Sequence, residues 1–263
     1  MSLNLKQSVL ITGASGGIGL ELARLFAKDG HRLVLVARSG ERLDKIAREF
    51  ASEYKVDVTY LVSDLAQSNA AQRLFEELQN RNIRIDILVN NAGFGTYGLF
   101  HETDWTQTAE MLQLNMVTLT QLTRLLLPSM ISRKSGKILN VASTAGFFPG
   151  PLMAAYYASK AYVVSLSEAL ANEMAGTGVS VTVLCPGPTR TEFQNRAKVD
   201  KSRLFKKMKV MSAAEVAAVG YRALWQQKTL AIAGLMNAAG VQLTRISPRK
   251  FTAAVVRKIQ ETA

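Results

Sequence analysis

The stretch VLITGASGGIGLELARLF, residues 9–26, decides the fold. An apolar run at 8–12 leads into a turn with glycines at 13, 16, 17 and 19, and an amphipathic helical pattern follows near 17–29. Glycines let the backbone turn sharply and approach a ligand closely. The first turn of a helix offers free N–H groups and a partial positive charge, which suit a pyrophosphate. A glycine-rich turn without a ligand is the alternative, but the preceding strand and the following helix favour the phosphate site.

Outward from this turn, short runs rich in Val, Ile and Leu alternate with longer amphipathic patterns. Most of the apolar runs lack interleaved polar residues, as expected for strands that are covered on both faces. The pattern predicts an α/β fold with a doubly wound parallel sheet flanked by helices on both faces, and with sites at the carboxyl ends of the strands. The predicted strands are 8–12, 33–37, 57–62, 86–90, 137–141, 180–185 and about 228–233, and the predicted helices lie near 17–29, 41–53, 67–80, 105–132, 153–175 and 212–227.

Length and composition indicate one globular domain over residues 1–263. The chain is 48% hydrophobic and 20% charged, and it has no linker, repeat or low-complexity segment. The sequence shows no signal peptide and no run of the roughly 18 apolar residues that a membrane span needs. It also lacks a group of His, Cys and carboxylate residues with the spacing of metal ligands. The single cysteine, Cys185, fits a reducing compartment. We therefore expect a cytoplasmic protein without a metal site or a nucleic-acid partner.

The net charge of +12 is concentrated in the last quarter of the chain. Residues 196–263 contain 14 Lys and Arg against 3 Asp and Glu, a balance of +11, so the first 195 residues are close to neutral. This asymmetry predicts either an anionic partner for the C-terminal region or a solvated basic face.

Further short motifs follow the glycine turn, which reads Gly13-x-x-x-Gly17-x-Gly19 after Thr12. They are Asp64-Leu65 after the third strand, NNAG at 90–93, Asn115, Ser143, Tyr156 with Lys160, and PGPTRT at 186–191. In these motifs, and over nearly its whole length, the chain resembles the short-chain dehydrogenase/reductase family. The resemblance implies a Rossmann-type oxidoreductase that transfers hydride between a nicotinamide cofactor and a carbonyl or secondary alcohol. We also expect a homodimer or homotetramer.

The end of the second strand indicates which nicotinamide cofactor binds. A dinucleotide fold that selects NAD places an acidic residue there. This strand ends LVLVARSGER, with Ala37 in that place and Arg38 beside it. A guanidinium pairs with a 2′-phosphate, and Ser15 in the glycine turn could add a hydroxyl. A lone Arg after a strand is usually only a surface charge, but together with the missing acid it predicts NADP(H).

The resemblance implies the remaining cofactor contacts. Asn91, Ala92 and Gly93 would wall the adenosine side, Asp64 would face the adenine, and residues 186–191 would hold the nicotinamide carboxamide. The expected cofactor-binding residues are Gly13, Ser15, Gly17, Ile18, Gly19, Arg38, Asp64, Leu65, Asn91, Ala92, Gly93, Tyr156, Lys160, Pro186, Gly187, Thr189 and Thr191.

Two adjacent tyrosines precede Lys160 in the stretch MAAYYASKAYVV at 153–164. A neighbouring ammonium favours phenolate, so a Tyr beside a Lys on one helical face suits proton transfer to a carbonyl. Helix geometry does not choose between Tyr156 and Tyr157, because both lie on the face of the lysine. The Y-x-x-x-K pattern of the family fits Tyr156, and its serine, about thirteen residues earlier, fits Ser143. Tyr157 would then serve packing or a subunit contact.

Ser143 and Asn115 complete the expected catalytic set of Asn115, Ser143, Tyr156 and Lys160. Ser143 follows the strand KILNVAS, and its hydroxyl can bind the substrate oxygen, although STAG also suits a simple turn. Asn115 lies in an apolar helical pattern, where an Asn is often a structural device. By resemblance, Asn115 would hold a water that contacts Lys160, and Lys160 would also bind the nicotinamide ribose.

The basic C-terminal region carries two further expectations. Residues 192–211, with seven basic residues, should form the substrate lid. Lys201, Arg203, Lys206 and Lys207 would attract an acyl chain with an anionic head, such as a thioester of coenzyme A or of an acidic carrier protein, unless the segment is only a solvated loop. A basic helix is predicted at about 248–262, which could contact a membrane surface or pack on its own domain or a sister subunit.

Three functional classes stay open. The first is an NADPH-dependent carbonyl reductase, or the same enzyme as an alcohol dehydrogenase. The second is a catalytically silent module that senses dinucleotide, and the third is a membrane- or carrier-associated binding protein. The presence of Asn, Ser, Tyr and Lys together favours the enzyme, while the sequence does not identify its substrate.

Overall fold

The computed structural model describes residues 6–190 and 210–261. Within these ranges, seven parallel strands form one sheet in the order β3-β2-β1-β4-β5-β6-β9. The strands are β1 (Ser8–Thr12), β2 (Arg32–Ala37), β3 (Val58–Val62), β4 (Ile87–Asn90), β5 (Gly136–Val141), β6 (Val179–Cys185), β7 (Thr189–Arg190), β8 (Met211–Ser212) and β9 (Leu230–Ile232). The two-residue strands β7 and β8 pair separately. The predicted doubly wound parallel sheet is confirmed, and it forms a single Rossmann-type domain.

Helices cover both faces of this sheet. They are α1 (Gly17–Lys28), α2 (Gly40–Tyr54), α3 (Ala70–Asn80), α4 (Trp105–Leu112), α5 (Leu119–Ser132), α6 (Ala154–Glu173), α7 (Ala213–Trp225), α8 (Leu235–Thr244) and α9 (Arg249–Gln260). Short 3₁₀ turns occupy Phe100–Glu102 and Thr144–Phe147. None of the helices in the described ranges is long and apolar enough to cross a membrane.

Strand β1 lies at the centre of the sheet, and its side chains alternate between two cores. Val9 and Ile11 pack on one face with residues of α1, α2 and α7, whereas Leu10 packs on the other face with residues of α3 and α5. A strand buried on both faces needs an apolar residue at every position, which explains the continuous run VLI. The strand order reverses between β1 and β4, and such a switch point leaves a crevice at the carboxyl ends of the strands.

Two elements differ from the predicted ones. The helix predicted at 105–132 is divided into α4, a π-helical segment Gln113–Thr118 and α5. The three pieces follow one another without a break, so the sequence pattern resembles that of one long helix. Helix α8 was not predicted, whereas α9 lies within the predicted range of 248–262.

Candidate active site

The glycine turn between β1 and α1 has the backbone geometry that its sequence demands. Gly13 and Gly17 have φ values of 67° and 57°, a left-handed conformation that favours glycine. A side chain on Gly19 would place its Cβ 2.4 Å from the carbonyl oxygen of Gly13, so only glycine fits there. Helix α1 carries no acidic residue in its first turn. The turn is therefore an open backbone cradle at a helix N-terminus, suited to phosphate groups.

Thr12 fastens this turn to the loop after β4. Its hydroxyl accepts hydrogen bonds from the N–H groups of Asn91 and Ala92, each at 3.0 Å, and donates to the carbonyl of Val89 at 3.3 Å. The Asn91 amide in turn donates to the carbonyl oxygens of Thr12 at 2.9 Å and Gly13 at 3.2 Å. Sequence reasoning noted Thr12 only as part of the motif. Its position before the first glycine was the available signal for this positioning role.

A cavity of about 660 Å³ opens at the carboxyl ends of the strands. It passes from the glycine turn to the tyrosines of α6 and brings most of the predicted site residues together. Gly19 and Asn115 are not in its wall, and Thr191 lies outside the described residues. The predicted residues that line it are Gly13, Ser15, Gly17, Ile18, Arg38, Asp64, Leu65, Asn91, Ala92, Gly93, Ser143, Tyr156, Lys160, Pro186, Gly187 and Thr189.

Two arginines line the end of the cavity beyond β2. Ala37 and Arg38 lie where the sequence predicts the 2′-phosphate site, and Arg42 from the first turn of α2 joins them. Sequence reasoning missed Arg42, although its spacing of four residues from Arg38 at a helix start was an available signal. Asp64 also lines the cavity, and its side chain accepts a hydrogen bond from Ala66 N–H at 3.1 Å. Guanidinium groups at this end provide the charge that a phosphate monoester needs.

Ser143 and Tyr156 meet at the other end of the cavity. The Ser143 hydroxyl accepts a hydrogen bond from Ala145 N–H at 3.1 Å and donates to the carbonyl of Pro186 at 3.3 Å. Burial raises the pKa of Tyr156 above its ordinary value, and a side-chain hydrogen bond with Ser143 opposes this rise. The protein alone therefore keeps Tyr156 protonated at neutral pH, as a proton donor must be.

Lys160 lies beneath Tyr156, one turn later in α6. Its ammonium donates to the carbonyl oxygen of Val141 at 3.0 Å and lies 5.8 Å from the centre of the Tyr156 ring. Burial lowers the pKa of Lys160 to about 8, because the cation loses hydration. Nearby, burial raises the pKa of the Cys185 thiol to about 12, so Cys185 is a neutral, buried side chain.

Asn115 lies behind the cavity wall, in the π-helical segment. Its side-chain oxygen accepts from Phe94 N–H at 3.2 Å, and its amide donates to Phe94 O at 2.9 Å and to the Ser159 hydroxyl at 3.1 Å. A Cβ on Gly93 would lie 2.9 Å from the Asn115 oxygen and 3.5 Å from the Lys160 ammonium. Asn115 therefore positions residues 93–94 beside Lys160, and its contact with a bound water stays a prediction.

Tyr157 packs as expected and also lines the cavity. A Cβ on Gly150 would fall 2.1 Å from its ring, so the chain passes directly over the ring face. Its hydroxyl accepts a hydrogen bond from the side chain of Gln260 at 2.5 Å, and Gln260 lines the same cavity. Sequence reasoning missed Gln260, since no local pattern links residues 103 positions apart.

Part of the predicted site lies outside the described residues. This applies to Thr191 and to residues 192–209 of the expected lid, including Lys201, Arg203, Lys206 and Lys207. At the edge of the described region, the Thr189 hydroxyl donates to the carbonyl oxygen of Gly187 at 2.9 Å. No cluster of three or more potential metal ligands is found in residues 6–190 and 210–261.

The model of the short chain dehydrogenase family matches residues 7–202. A very-long-chain 3-oxoacyl-CoA reductase of Phaeosphaeria nodorum is 39% identical over 65% of this chain and 52% of its own length. The ketoacyl reductase HetN of a Nostoc species is 37% identical over 69% of this chain and 63% of its own length. The chain thus spans about half to just under two thirds of the length of these two relatives.

A solved structure is similar over almost the entire chain. A short-chain dehydrogenase from Sphingobium yanoikuyae in complex with NADPH is 33% identical, covers 92% of this chain and 97% of its own, and superposes with a TM-score of 0.81. A ketone-specific alcohol dehydrogenase from Comamonas testosteroni is 29% identical and covers 94% of this chain and 96% of its own, with a TM-score of 0.78.

Proposed function

Because the chain belongs to the short-chain dehydrogenase family, we propose that it is an NADP(H)-dependent oxidoreductase acting on a ketone or acyl-type carbonyl, or on the corresponding secondary alcohol. One observation carries the proposal: Ser143, Tyr156 and Lys160 line the same cavity as the glycine turn. That arrangement places a proton donor and a phosphate cradle within reach of one bound dinucleotide and its substrate. The two curated relatives named above carry ketoacyl and 3-oxoacyl reductase names.

The residues present fit the cofactor. Gly13 and Gly19 leave no room for side chains in the cradle, so the backbone at the helix N-terminus can take the pyrophosphate. Arg38 and Arg42 line the adenosine end, where a 2′-phosphate requires positive charge. The cofactor, when bound, supplies or accepts the hydride.

The chain supplies the proton and stabilises the developing charge. In the reductive direction, Tyr156 gives its phenolic proton to the carbonyl oxygen as the carbon is reduced. The Ser143 hydroxyl donates a hydrogen bond to the same oxygen and shares its negative charge. The Lys160 ammonium then favours the phenolate that remains on Tyr156, and Asn115 holds residues 93–94 against that lysine. In the oxidative direction the steps reverse, and the phenolate of Tyr156 takes the proton from the alcohol.

Absorbance of NADPH at 340 nm tests the function over ketones, aldehydes and uncharged 3-oxoacyl thioesters, with NADP⁺ and secondary alcohols for the reverse direction. We expect turnover with at least one carbonyl class and loss of it in Tyr156→Phe. NADPH binding without turnover on any substrate would support the silent dinucleotide sensor instead.

We also propose a homo-oligomer, a dimer or a tetramer, in the cytoplasm. Large apolar side chains on adjoining elements support self-association, since Trp105 of α4, Val117 of the π-helical segment and Tyr162 of α6 are exposed. Analytical ultracentrifugation of the wild type and of Trp105→Ser with Val117→Ser tests this, because a monomeric wild type contradicts it.

The buried, unpaired thiol of Cys185 is consistent with a reducing compartment, which cell fractionation tests.

The exposed face of α8 and α9 is a second contact surface, and we propose that it touches an anionic membrane. In α8 and its following turn, Met236, Leu243 and Ile246 lie on one stripe and are 82%, 60% and 83% exposed. In α9, Phe251 is exposed as well. Residues 229–260 contain five Lys and Arg and no Asp or Glu. Apolar side chains whose charged neighbours in this segment are all cations suit a lipid surface with negative headgroups, and they disfavour a symmetric contact between two like-charged copies.

A further inference from the structure

The last turn of α9 forms part of the wall of the catalytic cavity. Gln260 is only 4% exposed, and it lines this cavity together with Tyr156, Tyr157 and Lys160. Its side-chain amide donates to the Tyr157 hydroxyl at 2.5 Å, and its backbone carbonyl accepts from the Tyr97 hydroxyl at 2.9 Å. Val256, one turn earlier, is buried in the same cluster as both tyrosines of α6. The end of α9 is therefore held against the active site by polar and apolar contacts.

The surroundings of this polar pair are apolar. Phe94, Phe148 and Met153 pack in the cluster that contains Tyr157. Placing an amide and a phenol in such a setting is costly unless their hydrogen bonds are satisfied. The Tyr157 hydroxyl accepts from Gln260, and no acceptor for its own proton is found among residues 6–190 and 210–261. Burial raises the pKa of Tyr157, so the phenol keeps that proton to donate.

We propose that Tyr157 and Gln260 form a second polar subsite, which binds an acceptor oxygen of the substrate next to the reacting carbonyl. The substrate class with this feature is a compound with two nearby carbonyls, such as a 3-oxoacyl thioester. The inference rests on the proposed reductase function and adds substrate selection to it. Within mostly apolar pockets, a few placed polar groups of this kind fix the orientation of the ligand.

The positions of the two tyrosines support simultaneous contact with one substrate. The rings of Tyr156 and Tyr157 meet edge to face with their centres 6.0 Å apart. Tyr156 serves the oxygen that is reduced, while Tyr157, fixed by Gln260, serves the second oxygen. A plain ketone uses only the first of these two contacts. The subsite therefore distinguishes a 3-oxo thioester from a ketone of the same length.

The subsite also combines two parts of the chain that the family match separates. Ser143, Tyr156 and Lys160 lie inside the matched residues 7–202, whereas Gln260 lies beyond them. The groups that carry out the reaction are thus in the family-wide part. The group that fixes Tyr157 comes from the C-terminal part, where selection of a particular substrate can change without disturbing the reaction.

The test compares two uncharged substrates, the acetoacetyl thioester of N-acetylcysteamine and a mono-ketone of matched length. Tyr157→Phe removes the hydroxyl and keeps the ring that packs on Gly150. Gln260→Glu places a carboxylate that accepts a hydrogen bond from the Tyr157 hydroxyl and so occupies its proton, and Gln260→Leu removes the hydrogen bond with little change in volume. We expect kcat/KM for the thioester to fall about three- to tenfold in each variant, mainly through KM, as for loss of a neutral hydrogen bond. The value for the mono-ketone should stay within about twofold, and NADPH affinity should not change.

Equal losses for both substrates, or a lower Tm with an unchanged ratio of the two kcat/KM values, would mean that the pair only docks α9, and would overturn the subsite. Calorimetric binding of the same thioester to wild type and variants in the presence of NADP⁺ separates the two proposals. If no substrate turns over, the reductase function fails. Selective loss of thioester binding in the variants then still supports the subsite, and unchanged binding overturns it.

Discussion

Residues 6–190 and residues 210–261 build the same cavity by different means. The first region supplies the glycine turn, Ser143, Tyr156 and Lys160, each fixed by a strand end or by the helix that carries it. The second region supplies Gln260, which reaches the cavity only because α9 packs across the tyrosines of α6. The difference teaches that the reaction chemistry depends on local geometry at the carboxyl ends of the strands. Substrate selection depends on long-range packing, and the two can be altered separately.

The largest effect is expected for the proton donor in the first region. Tyr156→Phe should lower kcat by roughly 10²–10⁴-fold, which is the contribution of a positioned general acid, while NADPH still binds. Tyr157→Phe is the matched control and should keep most of the turnover of a plain ketone. Single-turnover kinetics and fluorescence titration with NADPH measure the two quantities. If Tyr157→Phe is the inactive variant, the assignment of Tyr156 is wrong.

A smaller effect is expected at the far end of the same cavity. Arg38→Ala should weaken NADP(H) binding by about 1.5–3 kcal/mol, the range for hydrogen bonds to charged groups, and should leave NAD(H) binding nearly unchanged. Arg48→Ala, which removes an exposed arginine of α2 paired with Asp44, is the control and should change neither affinity. Isothermal titration of the wild type and both variants with each cofactor gives all six affinities. An equal loss for both cofactors, or tighter binding of NADH than NADPH by the wild type, contradicts the assignment of Arg38.

The lowered pKa of Lys160 predicts opposite pH dependences for activity and stability. Reduction needs the charged ammonium, so kcat/KM should fall as pH rises through about 8 and should be roughly tenfold lower one unit above that pKa. Since the lysine pKa is lowered from 10.5 to about 8 in the folded chain, the unfolded chain binds more protons between these values. The contribution of Lys160 to the free energy of unfolding therefore rises with pH over that window.

A pH–rate profile from pH 6 to 9.5 checks this expectation, with denaturant unfolding of wild type and Lys160→Met at the same pH values. The raised pKa of Tyr156 keeps that phenol protonated over this pH range, so the fall in kcat/KM is assigned to Lys160. A flat profile to pH 9.5 would contradict the role of the ammonium.

Sequence patterns predicted the first region better than the second. Strands β1, β4 and β5 and the Tyr156–Lys160 pair follow from local periodicity and from motif spacing, which a single segment of chain determines. Pattern-based prediction assumes that the apolar stripe of a helix faces the core. In α8 the apolar stripe faces outward and Val241 is the buried residue of the helix, so α8 escaped prediction. Gln260 escaped because its role depends on contacts with residues 97 and 157, far away in sequence.

The smallest effect on the reaction is expected from the exposed face of α8 and α9. Changing Arg249 and Lys250 to Gln should reduce sedimentation with vesicles that contain phosphatidylglycerol by several-fold for each charge, because a cation near an anionic bilayer contributes about 1 kcal/mol. Added salt should weaken vesicle binding by the wild type in the same way. Ile246→Ser with Phe251→Ser should weaken binding through lost apolar contact. The rate at which each of these variants reduces a neutral ketone should stay within about twofold of the wild-type rate, since none of the changed residues lines the cavity.

Arg48→Gln removes an exposed charge of α2, outside α8 and α9, and this variant should sediment like the wild type. Equal sedimentation with phosphatidylcholine and phosphatidylglycerol vesicles, or none with either, would contradict the membrane contact. Binding to an acidic carrier protein without binding to vesicles would assign the basic face to a protein partner. Loss of ketone reduction in the charge variants would break the division between the two regions, because the C-terminal surface would then act on the reaction as well as on docking.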